Sequence, residues 1–165
     1  MSFVQTIAAA AKPWSEFYSH SRTTSAIVTW AHLAGILLGG GFAIASDRVV
    51  LRAVSADVGA RAHVLREFGA IHRPVILALV VVVISGVMQT LSDAETFLLS
   101  KVYWTKMALI ILLLANGYGM MRTERRLTRE QSPAHGLWGR FRFGAVVSIT
   151  LWLATLLAGT FLLGA

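Results

Sequence analysis

The chain contains no cysteine. That removes disulfides, a thiolate nucleophile, a cysteine-ligated zinc site and a haem attached through thioethers. Charge is scarce as well: 14% of the 165 residues are charged, against about 25% in an ordinary soluble domain. There is no glycine-rich phosphate loop, no HExxH pair and no Ser/His/Asp set in a workable order. No apolar run holds two carboxylates that would pass a proton between them. Nothing in the sequence therefore supports soluble hydrolase or phosphate-transfer chemistry. No repeat, low-complexity tract or second domain interrupts the chain.

What fills the sequence is apolar side chain. Hydrophobic residues make up 56% of it, with a mean hydropathy of +0.66, and a chain this short has too little interior to bury so much. Four runs reach membrane length at about 1.5 Å of rise per residue against a hydrocarbon core of about 30 Å. They lie at 24–45, 74–91, 102–121 and 143–164, and only the third holds a charge, Lys106. The runs are apolar around the whole helix, which a soluble amphipathic helix is not. The expected fold is all-α: a single integral membrane domain built as a four-helix transmembrane bundle with short amphipathic extensions.

The net charge of +7 is carried in clusters between the runs, as membrane proteins carry it, which argues against nucleic acid as a partner. Arg48, Arg52, Arg61, Arg66 and Arg73 fall between spans one and two, and Arg122, Arg125, Arg126, Arg129, Arg140 and Arg142 between spans three and four. The opposite side holds Lys12, Arg22 and Lys101. Basic loops are retained in the cytoplasm, so both termini are expected outside, in a bacterial inner membrane. The first residues lack the basic region of a cleavable signal peptide.

Outside the runs, Val58, Ala62, Leu65 and Phe68 recur at helical spacing and predict an amphipathic helix leading into span two, with Pro74 at the joint. Span three is expected to continue to Ser132-Pro133. Trp138 is expected at a membrane interface, with Trp14, Phe17 and Tyr18 laying the exported tail on the opposite one. Asp47 and Glu67 read as ion-pair partners of Arg48 or Arg66.

Ionisable groups within a span are costly, so they mark where function is sought. His32 stands about 12 Å below the outer edge of span one and Lys106 about 6 Å below that of span three. Span two ends in Ser85, Gly86 and Gln89, and span four places Ser148, Thr155 and Gly159 on one face. A pocket opening outward around His32, Lys106, Gln89, Ser85 and Thr155 is the expected binding site. The bland alternatives are a snorkelling lysine, hydroxyls bonded to their own helices, and Gly35 and Gly39 serving close packing.

Ligand counting limits the cofactor. Six-coordinate haem needs two axial side chains at one depth, and His72 lies at the opposite edge from His32. Haem or another tetrapyrrole on His32 alone, or with Met88 or Met107, stays open. Copper(I) suits the same soft set of His32, Met88 and Met107. His20, His63 and His135 fall in polar segments. Four spans with almost no domain outside them also favour other membrane subunits or self-association as partners. Three classes follow: a non-enzymatic copper-handling protein, a haem- or pigment-binding electron-transfer subunit, and a cofactor-free structural subunit.

The Trp30-Ala31-His32-Leu33-Ala34-Gly35 opening, the Ser85-Gly86-Val87 span end, and Tyr103-Trp104-Thr105-Lys106-Met107 followed by Asn116 resemble the CopD-like integral membrane proteins. The similarity touches most of the four spans through short motifs. The Lys106 to Asn116 distance is shorter than in that group, and no Met- or His-rich copper trap is present outside the spans. The resemblance implies copper resistance or uptake, with His32 as the carried-over residue.

Overall fold

A computed structural model describes residues 3–53, 58–129 and 135–163. These form α1 (Phe3–His20), α2 (Arg22–Ala53), α3 (Val58–Ser92), α4 (Ala94–Leu99), α5 (Lys101–Arg129) and α6 (His135–Leu163), with no strand among the described residues. The breaks between helices carry side chains that satisfy orphan helix-start amides. The Ser21 hydroxyl accepts from the Thr24 amide at 3.3 Å, Asp93 from Thr96 at 3.3 Å and Ser100 from Tyr103 at 3.4 Å.

Four helices are long and apolar enough to cross a membrane, over Arg22–Arg52, His63–Ser92, Lys101–Arg129 and Gly136–Leu162. Each contains one of the apolar runs, up to the last described residue, and each is longer than its run. At about 1.5 Å per residue, 30 residues extend about 45 Å, which is longer than a hydrocarbon layer of about 30 Å is thick. The expected amphipathic helix before span two is no separate element: α3 runs through it and carries Pro74 inside. The predicted stop at Ser132-Pro133, the side chains of Val58 and Ala62, and Gly164 lie outside the described residues.

The tightest pairing is α2 against α3, followed by α5 against α6 and then α2 against α6; α3 and α5 touch least of the neighbouring long helices. Glycine sets the first of these. A Cβ on Gly35 would lie 2.7 Å from Val82 Cγ2 and 3.1 Å from the Ala78 carbonyl, so only a bare backbone lets the helices approach this closely. Trp152 of α6 lies on Gly40 of α2, its ring 3.2 Å from where a Cβ would be. Between α5 and α6, Asn116 Nδ2 donates to the Gly144 carbonyl at 3.0 Å.

The two ends of the molecule differ. At one end α1 lies across α3: Trp14 Nε1 donates to the Met88 carbonyl at 2.8 Å and Ser15 Oγ to that of Ser92 at 2.6 Å. The expected aromatic tail is thus an ordered helix. At the other, arginine-rich end, the helical extensions build the main core from Val50, Val64, Leu65, Met120, Leu127, Trp138, Phe141 and Ala145. Phe68 meets Phe141 edge-on at 4.9 Å. Trp138, expected at a membrane interface, is buried in this core with the Arg61 guanidinium 5.2 Å from its ring. Cation–π contact gives the aromatic ring a charged neighbour, and the core draws it in from the surface.

Between the ends, the long helices turn apolar side chains outward. Leu37 is 74% exposed and Leu77 67%, with Trp30, Ile111 and Phe143 similar. A soluble monomer rarely shows contiguous apolar surface on this scale.

Candidate functional site

His32 is buried on α2 and faces α3. Its Nδ1 lies 3.0 Å from Ser85 Oγ and 3.2 Å from the Val82 carbonyl oxygen. Ser85 Oγ in turn lies 2.6 Å from the Val81 carbonyl. A hydroxyl has one proton, and the short contact to Val81 takes it, so toward the histidine Ser85 Oγ is an acceptor. The Val82 carbonyl is an acceptor as well. Nδ1 must therefore carry a hydrogen, which leaves the lone pair of the neutral imidazole on Nε2. Gly86 makes room for the ring: a Cβ there would stand 3.2 Å from His32 Cε1.

Lys106 on α5 is half-buried and within electrostatic reach of His32. Its stem and ammonium lie over α6 at Gly159, with Nζ 3.6 Å and Cε 3.8 Å from where a Cβ would be. Thr155, one turn earlier on α6, has a buried hydroxyl with no hydrogen-bond partner among the described residues. Of the expected set, the structure joins His32 to Ser85 and brings Lys106 near both His32 and the Thr155 face. Gln89, Met88 and Met107 are half-buried at the same end. Ser92 donates to the backbone carbonyl of Gln89, and Trp14 to that of Met88. Among the described residues no three His, Cys, Asp or Glu side chains come together as metal ligands. The side chains of His72 and His135 lie outside the described residues.

A second polar cluster, near the arginine-rich end, was not expected. Asp47 was read as an ion-pair partner of Arg48; it is instead 3% exposed, accepts a hydrogen bond from Ser148 of α6, and has no ion pair among the described residues. Glu67 pairs with His63 at 3.6 Å rather than with an arginine. Asp47 Oδ2 has no hydrogen-bond partner among the described residues. The carboxylate and Ser46 form the polar wall, with Ser148, of a cavity of about 190 Å³ otherwise lined by apolar and aromatic side chains of α2, α3, α5 and α6.

The signal for this cluster was present. Val28, His32, Gly35, Gly39, Ser46 and Val50 are all buried, and with Ala43 they recur every three or four residues along α2. Asp47 falls one turn before Val50 and one turn after Ala43, on the edge of that stripe. Its adjacency to Arg48 in the chain suggests an ion pair, whereas the helix turns Arg48 outward by about 100°. Spacing puts Ser148 on one face with Thr155 and Gly159, but nothing in the sequence names its partner.

No protein family, curated protein or solved structure matches this chain. The CopD-like resemblance rests on its short motifs alone.

Proposed function

We propose that this chain is a non-enzymatic four-helix transmembrane protein of a bacterial inner membrane, with both termini outside, that handles copper(I) at His32 in the outer half of the bundle. The observation that carries the reading is the hydrogen bonding of Nδ1 to Ser85 and Val82. It orients the ring and presents Nε2 as a neutral donor, the arrangement in which histidines serve metals. The thioethers of Met88 and Met107 supply soft donors from the same end of α3 and α5. Bound copper(I) would contribute a soft, singly charged centre; the protein's residues supply its donors and keep water from it.

Lys106 bears on which ion is taken. A neighbouring ammonium raises the cost of added positive charge in proportion to that charge. A singly charged copper ion therefore suits this site better than copper(II) or zinc. The apolar surface of the four long helices and the eleven arginines gathered in two connecting regions support membrane insertion and its direction.

Copper(I) titration of protein purified in mild detergent under reducing conditions tests the reading. Wild type should bind one equivalent, and His32→Ala should lose it while His63→Ala keeps it. A Soret or chlorophyll band in the purified protein would support the haem- or pigment-binding electron-transfer subunit instead. Colourless protein that takes up no copper would leave the cofactor-free structural subunit.

A further inference from the structure

The cavity beside Asp47 is distinct from the His32 site. Asp47 follows His32 by fifteen residues on α2, about 22 Å along the helix axis. Its wall brings together three features that bear on a ligand. The first is a carboxylate oxygen that is buried and unpartnered among the described residues. An isolated buried charge is strongly disfavoured, and an unmet acceptor calls for a donor. Ser148 serves the carboxylate from α6, yet Oδ2 is left without a donor among the described residues, and the Asp47 side chain lines the cavity.

The second feature is the apolar and aromatic character of the remaining wall, including Phe68 of α3, Tyr118 of α5 and Trp152 of α6. Aromatic faces attract cations as well as apolar surface. No lysine or arginine among the described residues lines the cavity, so no described side chain there would receive a phosphate or carboxylate. A zwitterionic lipid headgroup would bury its anion unpaired, and three-ligand metal binding has no residues among those described.

The third feature is access. Ile76 of α3 and Leu114 and Tyr118 of α5 line the cavity and are about half exposed, and this is the seam at which the long helices touch least. The mouth opens sideways through apolar surface rather than along the helix axes. The size also selects: an apolar cavity of about 150 Å³ accepts benzene, and this one, at about 190 Å³, has room for a ring and a short substituent.

We propose that this cavity is a binding site for a small lipophilic monoammonium compound, which enters between α3 and α5, rests its apolar body against Trp152 and Phe68, and donates an N–H to the Asp47 carboxylate. The carboxylate supplies the missing half of an ion pair within an apolar enclosure, and the ligand supplies the missing donor. Ser148 holds the other side of the carboxylate and orients it.

Isothermal titration of the purified full chain in mild detergent, with empty micelles as the blank, tests this with 2-phenylethylamine and its neutral isostere 2-phenylethanol. Wild type should bind the amine saturably and about tenfold or more tightly than the alcohol, the range expected of a charge-assisted hydrogen bond. Asp47→Asn keeps the shape and should bring the two affinities together, with the alcohol unaffected. Equal affinities in wild type would overturn the proposal, as they would if Asp47 met its need with a proton instead. Absence of saturable amine binding would overturn it too. Both results come from the unaltered protein, so neither depends on how a variant folds.

Discussion

Replacing Gly35 with alanine adds one methyl group at the closest approach of α2 and α3. The new Cβ would stand 2.7 Å from Val82 Cγ2, 3.1 Å from the Ala78 carbonyl oxygen and 3.4 Å from the Val82 amide nitrogen. To reach about 3.4 Å, the near edge of ordinary contact, the carbonyl must withdraw by about 0.3 Å and the methyl by about 0.7 Å. The carbonyl is backbone, and a valine in a helix is held close to one rotamer. The helices must therefore separate, at the roughly 1–3 kcal/mol typical of overpacking, offset by up to about 1 kcal/mol from alanine's better helix propensity. With about 2–4 °C in Tm per kcal/mol for a chain of this size, the variant should melt about 2–12 °C below an alanine variant that gains the same helix propensity without the clash. Separation by the same few tenths of an ångström stretches the His32 contacts to Ser85 and Val82, now at 3.0 and 3.2 Å, so copper(I) affinity should fall with stability. Gly41→Ala is the control, since nothing stands within 4 Å of its added Cβ. Thermal melts in detergent followed by circular dichroism read both variants. A Gly35→Ala protein as stable as Gly41→Ala would refute the reasoning.

Other perturbations should act elsewhere. Ser148→Ala strips Asp47 of its hydroxyl donor and should lower stability by about 1–3 kcal/mol, whereas Asp47→Asn, which removes the buried charge and keeps a group for Ser148 to bond, should melt no lower than wild type in the same assay. Trp14→Phe deletes the bond to the Met88 carbonyl and should speed cleavage at Glu16 by a glutamate-specific protease without changing the melting of the four long helices; unchanged cleavage would show that α1 is held by other contacts. Cysteines introduced at Ser19 and Ser132 should label oppositely with an impermeant thiol reagent, the first in intact cells and the second only after lysis. The reverse pattern would contradict the positive-inside reading.

The four long helices were legible because apolar runs of membrane length permit little else, and their true ends were not. Charged residues such as Arg122 to Arg129 mark where the apolar run stops, but the helix continues through them, because arginine, glutamate and leucine are good helix formers. Trp138 shows the same limit. The ring packs in the core against Phe141 and beside residues of α3, contacts that no local pattern reveals. For the site, depth along the helices was enough to align His32 with Ser85. The rotation of α2 against α6, which decides that Asp47 meets Ser148, depends on Trp152 resting on Gly40 and is a property of the packed molecule.

The central claim is that His32 holds its hydrogen on Nδ1 and offers Nε2. Nitrogen-15 spectra of histidine-labelled protein, with the His32 signals assigned by the His32→Gln variant, read this directly. Nδ1 should show a protonated, pyrrole-like resonance and Nε2 an unprotonated, pyridine-like one, and copper(I) should move the Nε2 signal. A protonated Nε2 with a bare Nδ1, or an Nε2 signal that ignores copper(I), would contradict the account.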